Sequence, residues 1–191
     1  MRLFVGVWLS DKIRDEVVRY ISIIRGQIFG FKWSVPEQLH FTLRFLGETP
    51  GKEIGPLCEA LQNVTRGLAA FELQLGKPGC FPGKGKPRVL WIGVGQGGQE
   101  LSNLAGLVET ACVQSGFPAA DRPFKPHLTI ARAKGGQGSL SSLEFRASWQ
   151  NPTLVTGFSL IESKLQPGGA VYRRVRDFSF QQRNPPGFLE S

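Results

Sequence analysis

Apolar and polar positions along this chain follow two periods, one near two residues and one near 3.6. Residues 2–9 (RLFVGVWL) form a dense apolar run of strand length. Ser10 or Asp11 can cap a helix behind it, and Ile13, Val17, Tyr20, Ile21, Ile24 and Ile28 then mark one helical face up to Gly30. Residues 33–36 read as a connector, and residues 39–46 as a strand stopped by Gly47 and Pro50. A second helix is predicted over residues 53–67, with Ile54, Leu57, Cys58, Leu61 and Val64 inward. Residues 71–75 alternate as a half-buried strand, 76–87 are a Gly/Pro/Lys loop, and 89–94 (VLWIGV) are again an apolar strand. Residues 100–115 carry Leu101, Leu104, Val108, Ala111 and Cys112 on a third helical face, and residues 127–132 follow as a strand. Residues 133–150 are Gly/Ser-rich and then suggest a short helix. Residues 153–165 and 170–180 read as strands joined at Pro167-Gly168-Gly169, and the final residues as a loose tail.

Two of these strands open on the same pattern, His40-Phe41-Thr42-Leu43 and His127-Leu128-Thr129-Ile130. Residues i and i+2 of a strand share a face, so each copy sets an imidazole beside a hydroxyl and turns apolar residues the other way. The chain has only 2 histidines, and both stand here. A shift of 87 residues superposes the motifs and, without a gap, also lays Phe4–Val7 on Trp91–Val94, Val17 and Ile21 on Leu104 and Val108, and Pro36 on Pro123. An internal repeat of strand, helix, connector and motif strand predicts two similar lobes. Packed about a pseudo-twofold axis, they would bring both motifs to one cleft.

Composition narrows the classes. At 191 residues with 41% hydrophobic residues the chain suits one well-cored domain. That domain is expected over residues 1–182, in two lobes, with residues 183–191 as the tail. No apolar run reaches the roughly 18 residues of a membrane helix, and the N-terminal run is too short for a signal peptide, so the chain reads as cytoplasmic. Three widely spaced cysteines, Cys58, Cys80 and Cys112, without a C-x-x-C pair, argue against a disulfide framework or a zinc site. The formal charge of +8 favours anionic partners, nucleic acid first.

A lone histidine on an apolar strand is usually a satisfied core residue. Two, each followed by threonine at i+2 and in register with a repeat, point to chemistry. Imidazole titrates near pH 6.5, so one can accept a proton while its twin gives one. Facing histidines therefore suit in-line displacement at phosphorus, each role contributing about 100- to 10,000-fold. The threonine hydroxyls can hold non-bridging phosphate oxygens, at about 1.5–3 kcal/mol per charge-assisted bond. A metal site would want three or four ligands. Glu37 and Glu48, the acids nearest His40, have no counterparts around His127.

In these motifs the chain resembles the two-histidine phosphoesterase superfamily, and within it the RNA 2',3'-cyclic phosphodiesterases once called 2'-5' RNA ligases. The matching pieces are RLFVGV, WSVPEQLHFTLRFLGE, RVLWIGV, FKPHLTIAR, GFSLIESKL and VYRRV, which together span nearly everything but the tail. The resemblance implies a bilobal α+β fold, a duplicated strand–helix–strand unit with antiparallel sheets lining a central groove. It implies opening of 2',3'-cyclic phosphate ends of RNA or oligonucleotides to 2'-phosphomonoesters, without metal or other cofactor, and ligation as a minor activity. It makes His40 the proton donor to the 3' leaving oxygen, His127 the proton acceptor that activates water, and Thr42 and Thr129 phosphate binders. The expected protein is a monomer with no obligate protein partner.

Helper residues are less sharply marked. Arg44 shares a face with His40 and Thr42 if the strand is regular, and would then reach phosphate. Arg132 matches an arginine of the family but stands at i+5 from His127, so a bulge or strand end is required to turn it inward. Trp33 and Phe124 are candidates for base stacking, with core packing as the plain alternative. Two rival readings stand beside the enzyme. One is a groove that binds a nucleotide or RNA end without turning it over. The other is a dinucleotide site at Gly93-Val94-Gly95-Gln96-Gly97-Gly98, with Asp121 downstream. Against the latter, Gly93 falls on Gly6 within the repeat, and the first copy lacks the other glycines.

Overall fold

A computed structural model describes residues 1–136, 147–167 and 169–180 of the chain. The order is β1 (Arg2–Trp8), α1 (Asp11–Ile24), β2 (Phe31–Trp33), β3 (His40–Glu48), α2 (Gly51–Val64), β4 (Phe71–Leu73), β5 (Leu75–Phe81), β6 (Val89–Val94), α3 (Gly98–Gln114), β7 (His127–Ala133), β8 (Thr153–Val155), β9 (Gly157–Gln166) and β10 (Gly169–Ser179). The fold is α+β. One sheet runs β10-β9-β1-β3-β7-β6-β5, with β2 also paired to β7, and β4 pairs with β8 in a separate two-stranded sheet. Among the described residues every pairing is antiparallel.

The repeat is visible in this order. Strands β1 and β3 with α1 form one half, and β6 and β7 with α3 form the other. The halves meet where β3 pairs β7, at the single register pair Phe41–Leu128. One face of the sheet is apolar: Leu3, Val5, Val7, Phe41, Leu90, Ile92 and Leu128 share a continuous core with Ile13 and Val17 of α1, Leu57 and Leu61 of α2, and Leu104 and Val108 of α3. The 3.6-residue spacing of those helical positions is what lets each helix lay one stripe on the sheet.

The structure departs from the sequence expectation at several points. Residues 76–81, expected as loop, belong to β5; Gly79 is in the strand because the Trp91 ring of β6 lies across it, 2.4 Å from where a Cβ would stand. Trp33, expected in a connector, belongs instead to the short strand over residues 31–33, held by β7. Residues 153–165 are split between β8 and β9, which serve different sheets. The glycine run of the rejected dinucleotide site joins antiparallel β6 to α3, and Gly97 is required there by packing: φ is +79° and a Cβ would be 2.2 Å from the Glu72 carbonyl oxygen. The turn residue Gly168, most of the suggested helix in 133–150 and the expected tail lie outside the described residues.

The repeat also slips. Its gapless alignment lays Gly6 on Gly93, yet Gly6 pairs Thr42 and Trp8 pairs His40, whereas Trp91 pairs Thr129 and Gly93 pairs His127. A slip of two residues keeps every side chain on its face. It exchanges which motif residue has a glycine opposite it and which has a tryptophan. Gly6 is needed where it stands, because a Cβ would sit 2.9 Å from the Phe41 carbonyl oxygen and 3.3 Å from the His40 ring. Gly6→Ala is expected to lower stability by about 1–3 kcal/mol through overpacking, read as a fall in urea midpoint at unchanged m-value.

Candidate active site

Phe41 and Leu128 turn into the core, 1% and 0% exposed. Strand alternation therefore turns His40, Thr42, His127 and Thr129 to the opposite face of the sheet. Antiparallel pairing at Phe41–Leu128 sets His40 towards Thr129 and Thr42 towards His127. Two hollows meet over this face. One, about 180 Å³, is lined by His40, Thr42, Trp33, Phe45 and Tyr172 among others. The second, about 990 Å³, opens beside His127. Thr129 and Arg132 line both, so the two hollows form one groove with a histidine on each side.

The imidazoles are oriented alike. Nδ1 of His40 lies 2.7 Å from the Gln38 carbonyl oxygen, and Nδ1 of His127 lies 2.7 Å from that of Lys125. A carbonyl only accepts, so each Nδ1–H donates and in each neutral ring Nε2 is the acceptor. The Thr42 hydroxyl donates to Nε2 of His40 over 2.9 Å.

The surroundings of the two rings differ. His40 is enclosed by aromatic rings: Phe4 at 4.7 Å, Tyr172 edge-on at 5.2 Å and Trp8 at 5.7 Å between centroids. Among the described residues His127 has one such neighbour, Phe81, edge-on at 5.3 Å. Burial pushes His40 down to about 4; the Gln38 hydrogen bond opposes this, while the charges of Arg132 and His127 add to it. Burial also lowers His127, against the Lys125 hydrogen bond and with help from Arg132. Tyr172 is raised, again by burial first. At neutral pH His40 is therefore uncharged in the free protein.

Bulges decide which neighbours join the motifs. In β7, Leu90 pairs Ala131 but Trp91 pairs Thr129, leaving Ile130 as the extra residue. Ile130 and Ala131 are consecutively buried, at 0% each, and alternation resumes with Arg132 on the His127 face. This is the irregularity that Arg132 required. In β3 the same step occurs: Gly6 pairs Thr42 and Val5 pairs Arg44, past Leu43. It carries Arg44 away from the groove. Contrary to the expectation of a phosphate contact, Arg44 pairs with Glu109 of α3 (Nε to Oε2, 2.6 Å) and donates to the Pro118 carbonyl oxygen. Phe45 takes the groove-facing place instead. Trp33 lines the smaller hollow. Phe124 does not reach either one; it packs against the core.

Phe45, Tyr172 and Gln38 are groove residues that sequence reasoning missed. For Phe45 a signal existed, since the 87-residue shift lays it on Arg132. Tyr172 lies on β10, two strands beyond the motif repeat, and nothing local marked it. Among the described residues no group of three or more His, Cys, Asp or Glu side chains is placed to hold a metal ion.

Comparison with known proteins gives a consistent picture. The family model LigT like Phosphoesterase matches twice in tandem, over residues 7–91 and 92–172. An RNA 2',3'-cyclic phosphodiesterase of Archaeoglobus fulgidus is 37% identical over 180 residues, covering 93% of this chain and 99% of that protein. The crystal structure of TT0787 of Thermus thermophilus superposes with a TM-score of 0.81 at 32% identity, covering 94% of this chain and 98% of that one. Escherichia coli LigT complexed with 3'-AMP superposes with a TM-score of 0.76 at 25% identity, over 95% and 98% of the two chains.

The lowered His40 pKa has a consequence for stability. The unfolded chain binds a proton at this residue near pH 6.5, while the folded chain binds it only near pH 4. Stability is thus expected to fall as pH drops through that window, by up to about 3 kcal/mol from His40, and this contribution to level off below it. In His40→Asn the slope across the window should be shallower, measured by denaturant melts at stepped pH.

Proposed function

The chain belongs to the LigT-like phosphoesterase family, and we propose that it hydrolyses the 2',3'-cyclic phosphate ends of RNA to 2'-phosphomonoesters. The observation that carries the proposal is the pair of imidazoles, each with Nδ1–H fixed on a backbone carbonyl and Nε2 unprotonated, that of His40 accepting from the Thr42 hydroxyl, on a shared groove floored by Thr129 and Arg132. The relative from A. fulgidus bears the name of this activity, and LigT of E. coli has been crystallised with 3'-AMP.

In this reading the cyclic phosphate lies between the histidines. Thr42, Thr129 and Arg132 hold its non-bridging oxygens. His127 takes a proton from water as the water oxygen bonds to phosphorus. The bond from phosphorus to O3' breaks, and His40 gives O3' its proton. Trp33, on the wall of the smaller hollow, offers a ring for the terminal base.

His40 must be protonated to act as donor, although its burial holds it neutral in the free protein. The substrate supplies the difference. A phosphate charge about 4 Å away, at an effective dielectric of about 20, stabilises the imidazolium by about 4 kcal/mol. That offsets about three pKa units, enough to bring His40 from about 4 to near neutrality. The enclosed ring thus becomes acidic only in the company of its substrate. Binding of a phosphate ligand is accordingly expected to take up about half a proton per site at pH 7. Calorimetric titration with 3'-AMP in buffers of different ionisation enthalpy reads this; heats that do not depend on the buffer would exclude it.

His40→Ala and His127→Ala are each expected to lower kcat on a 2',3'-cyclic nucleotide by about 100- to 10,000-fold, in a chain that still melts cooperatively. Turnover within a few-fold of wild type in both variants would sink the proposal. Saturable binding by the unmodified chain with no product would convert it to a binding module. Thr42→Val is expected to cost about ten- to a hundredfold in kcat/KM, the loss of one charge-assisted bond. Arg44→Ala should act on stability, because its guanidinium faces α3.

A further inference from the structure

One position of the repeat is used in two ways. The 87-residue shift lays Gln38 on Lys125, and both main-chain carbonyls accept from the Nδ1–H of the histidine two residues on. The side chains then diverge. That of Lys125 is exposed on the wall of the larger hollow. That of Gln38 turns to β10, where its Nε2 donates to the Ala170 carbonyl oxygen over 2.7 Å, 132 residues along the chain. Its Oε1 accepts from the Val35 N–H at 3.4 Å, and its own N–H donates to the Val35 carbonyl oxygen at 2.9 Å, so the turn over Pro36–Gln38 closes on itself. Strand β10 has few other anchors at this point. Strand β1 pairs β9 only from Ser159 to Glu162, so among the described residues 163–166 of β9 and 169–172 of β10 run on past the last β1 pair. This overhang bends over the groove. Gly169, Ala170 and Tyr172 line the smaller hollow, and the Tyr172 ring stands edge-on to His40 at 5.2 Å. Gly169 is closely packed there, since a Cβ would stand 2.9 Å from Lys32 Nζ.

We infer that Gln38 is a positioning residue, which clasps the overhanging β9–β10 hairpin with its side-chain amide and steers His40 with its main-chain carbonyl, so that one residue sets both the imidazole and the wall facing it. The inference rests on the proposed reaction, in which His40 protonates O3'. Without the clasp the hairpin overhang is held by packing alone, the Tyr172 ring withdraws from the imidazole, and water enters the smaller hollow. The leaving oxygen then loses its fixed place beside Nε2. Turnover suffers more than binding, because Thr42, Thr129 and Arg132 still hold the phosphate. The imidazole also regains solvent, so its protonated form is less disfavoured. Besides Tyr172, the titratable and charged groups around His40 are Lys32 of β2 and Arg132 and His127 of β7, on strands that the clasp does not hold.

The test uses the full chain and sets Gln38→Met, which keeps the volume and removes the donor, against Lys125→Met, the matched change in the second half. The chain has only 2 histidines, so imidazole titration by NMR resolves both, with His127→Asn to assign them. In Gln38→Met the His40 midpoint is expected to move up from about 4 towards the ordinary 6.5, and in Lys125→Met to stay where it is. On a 2',3'-cyclic mononucleotide the kcat of Gln38→Met should fall about ten- to a hundredfold, with KM within about threefold of wild type. Tyr172→Leu removes the ring that the clasp holds in place and should move the His40 midpoint the same way. In the double variant Gln38→Met should then add little to that shift. A lower urea midpoint in Gln38→Met with the His40 titration unmoved would reduce the amide to a structural contact and overturn the inference. Full additivity of the Gln38 and Tyr172 changes would overturn it as well. The titration involves no turnover, so it reads the clasp even if wild type leaves the cyclic mononucleotide intact, the result that would instead remove the catalytic reading.

Discussion

A single backbone register, Phe41 against Leu128, holds the candidate site together. Both side chains are sunk in the core. Because strand side chains alternate, burying these two obliges the flanking histidines and threonines to emerge together on the far face. A slip of one residue would drive four polar side chains into the core and leave the groove lined with Phe41 and Leu128. The cost of burying those polar groups unpaired is several kcal/mol, a large share of the stability of a domain this size. The geometry at phosphorus is thus guarded by ordinary hydrophobic packing on the opposite side of the sheet.

Much of this is legible in the chain itself. The H-x-T pairs carry their own parity, and the 87-residue repeat supplies the reason for two remote histidines to meet. The helices are legible because each presents one apolar stripe. What escapes are the local departures from regularity. A regular strand would set Arg44 in the groove, and the bulge at Leu43 reverses it. Arg132 reaches the groove only on condition of such a bulge. A bulge is set by how two strands share twist and by what packs on either side, neither of which shows in a short window. The strand at residues 75–81 is hidden for a related reason. Lys77-Pro78-Gly79-Cys80 has turn composition, and only the Trp91 ring lying over Gly79 explains its extended form. For Tyr172, the closing hairpin has to be placed against β1 before its nearness to His40 can be known.

The electrostatics of the groove also depend on tertiary placement. An isolated imidazole has no preference between donor and acceptor roles near neutral pH. The aromatic enclosure of His40 makes it the poorer base of the free protein, and the neighbouring Arg132 charge adds to the effect until an anion arrives. Groups held in the wrong protonation state until their ligand binds contribute selectivity as well as rate, since a neutral molecule of the same shape cannot supply the missing charge.

The exchange of glycine and tryptophan about the central axis has a further meaning. A duplicated half-site in strict twofold register would present the same face from either end, and a substrate with distinct ends would dock in two senses, one of them futile. With Trp8 opposite His40 and Gly93 opposite His127, the ends are no longer interchangeable: one is roofed by rings, the other open. A slip of two residues in one strand pairing therefore gives the protein a sense of direction, turning a palindromic scaffold into a vectorial one.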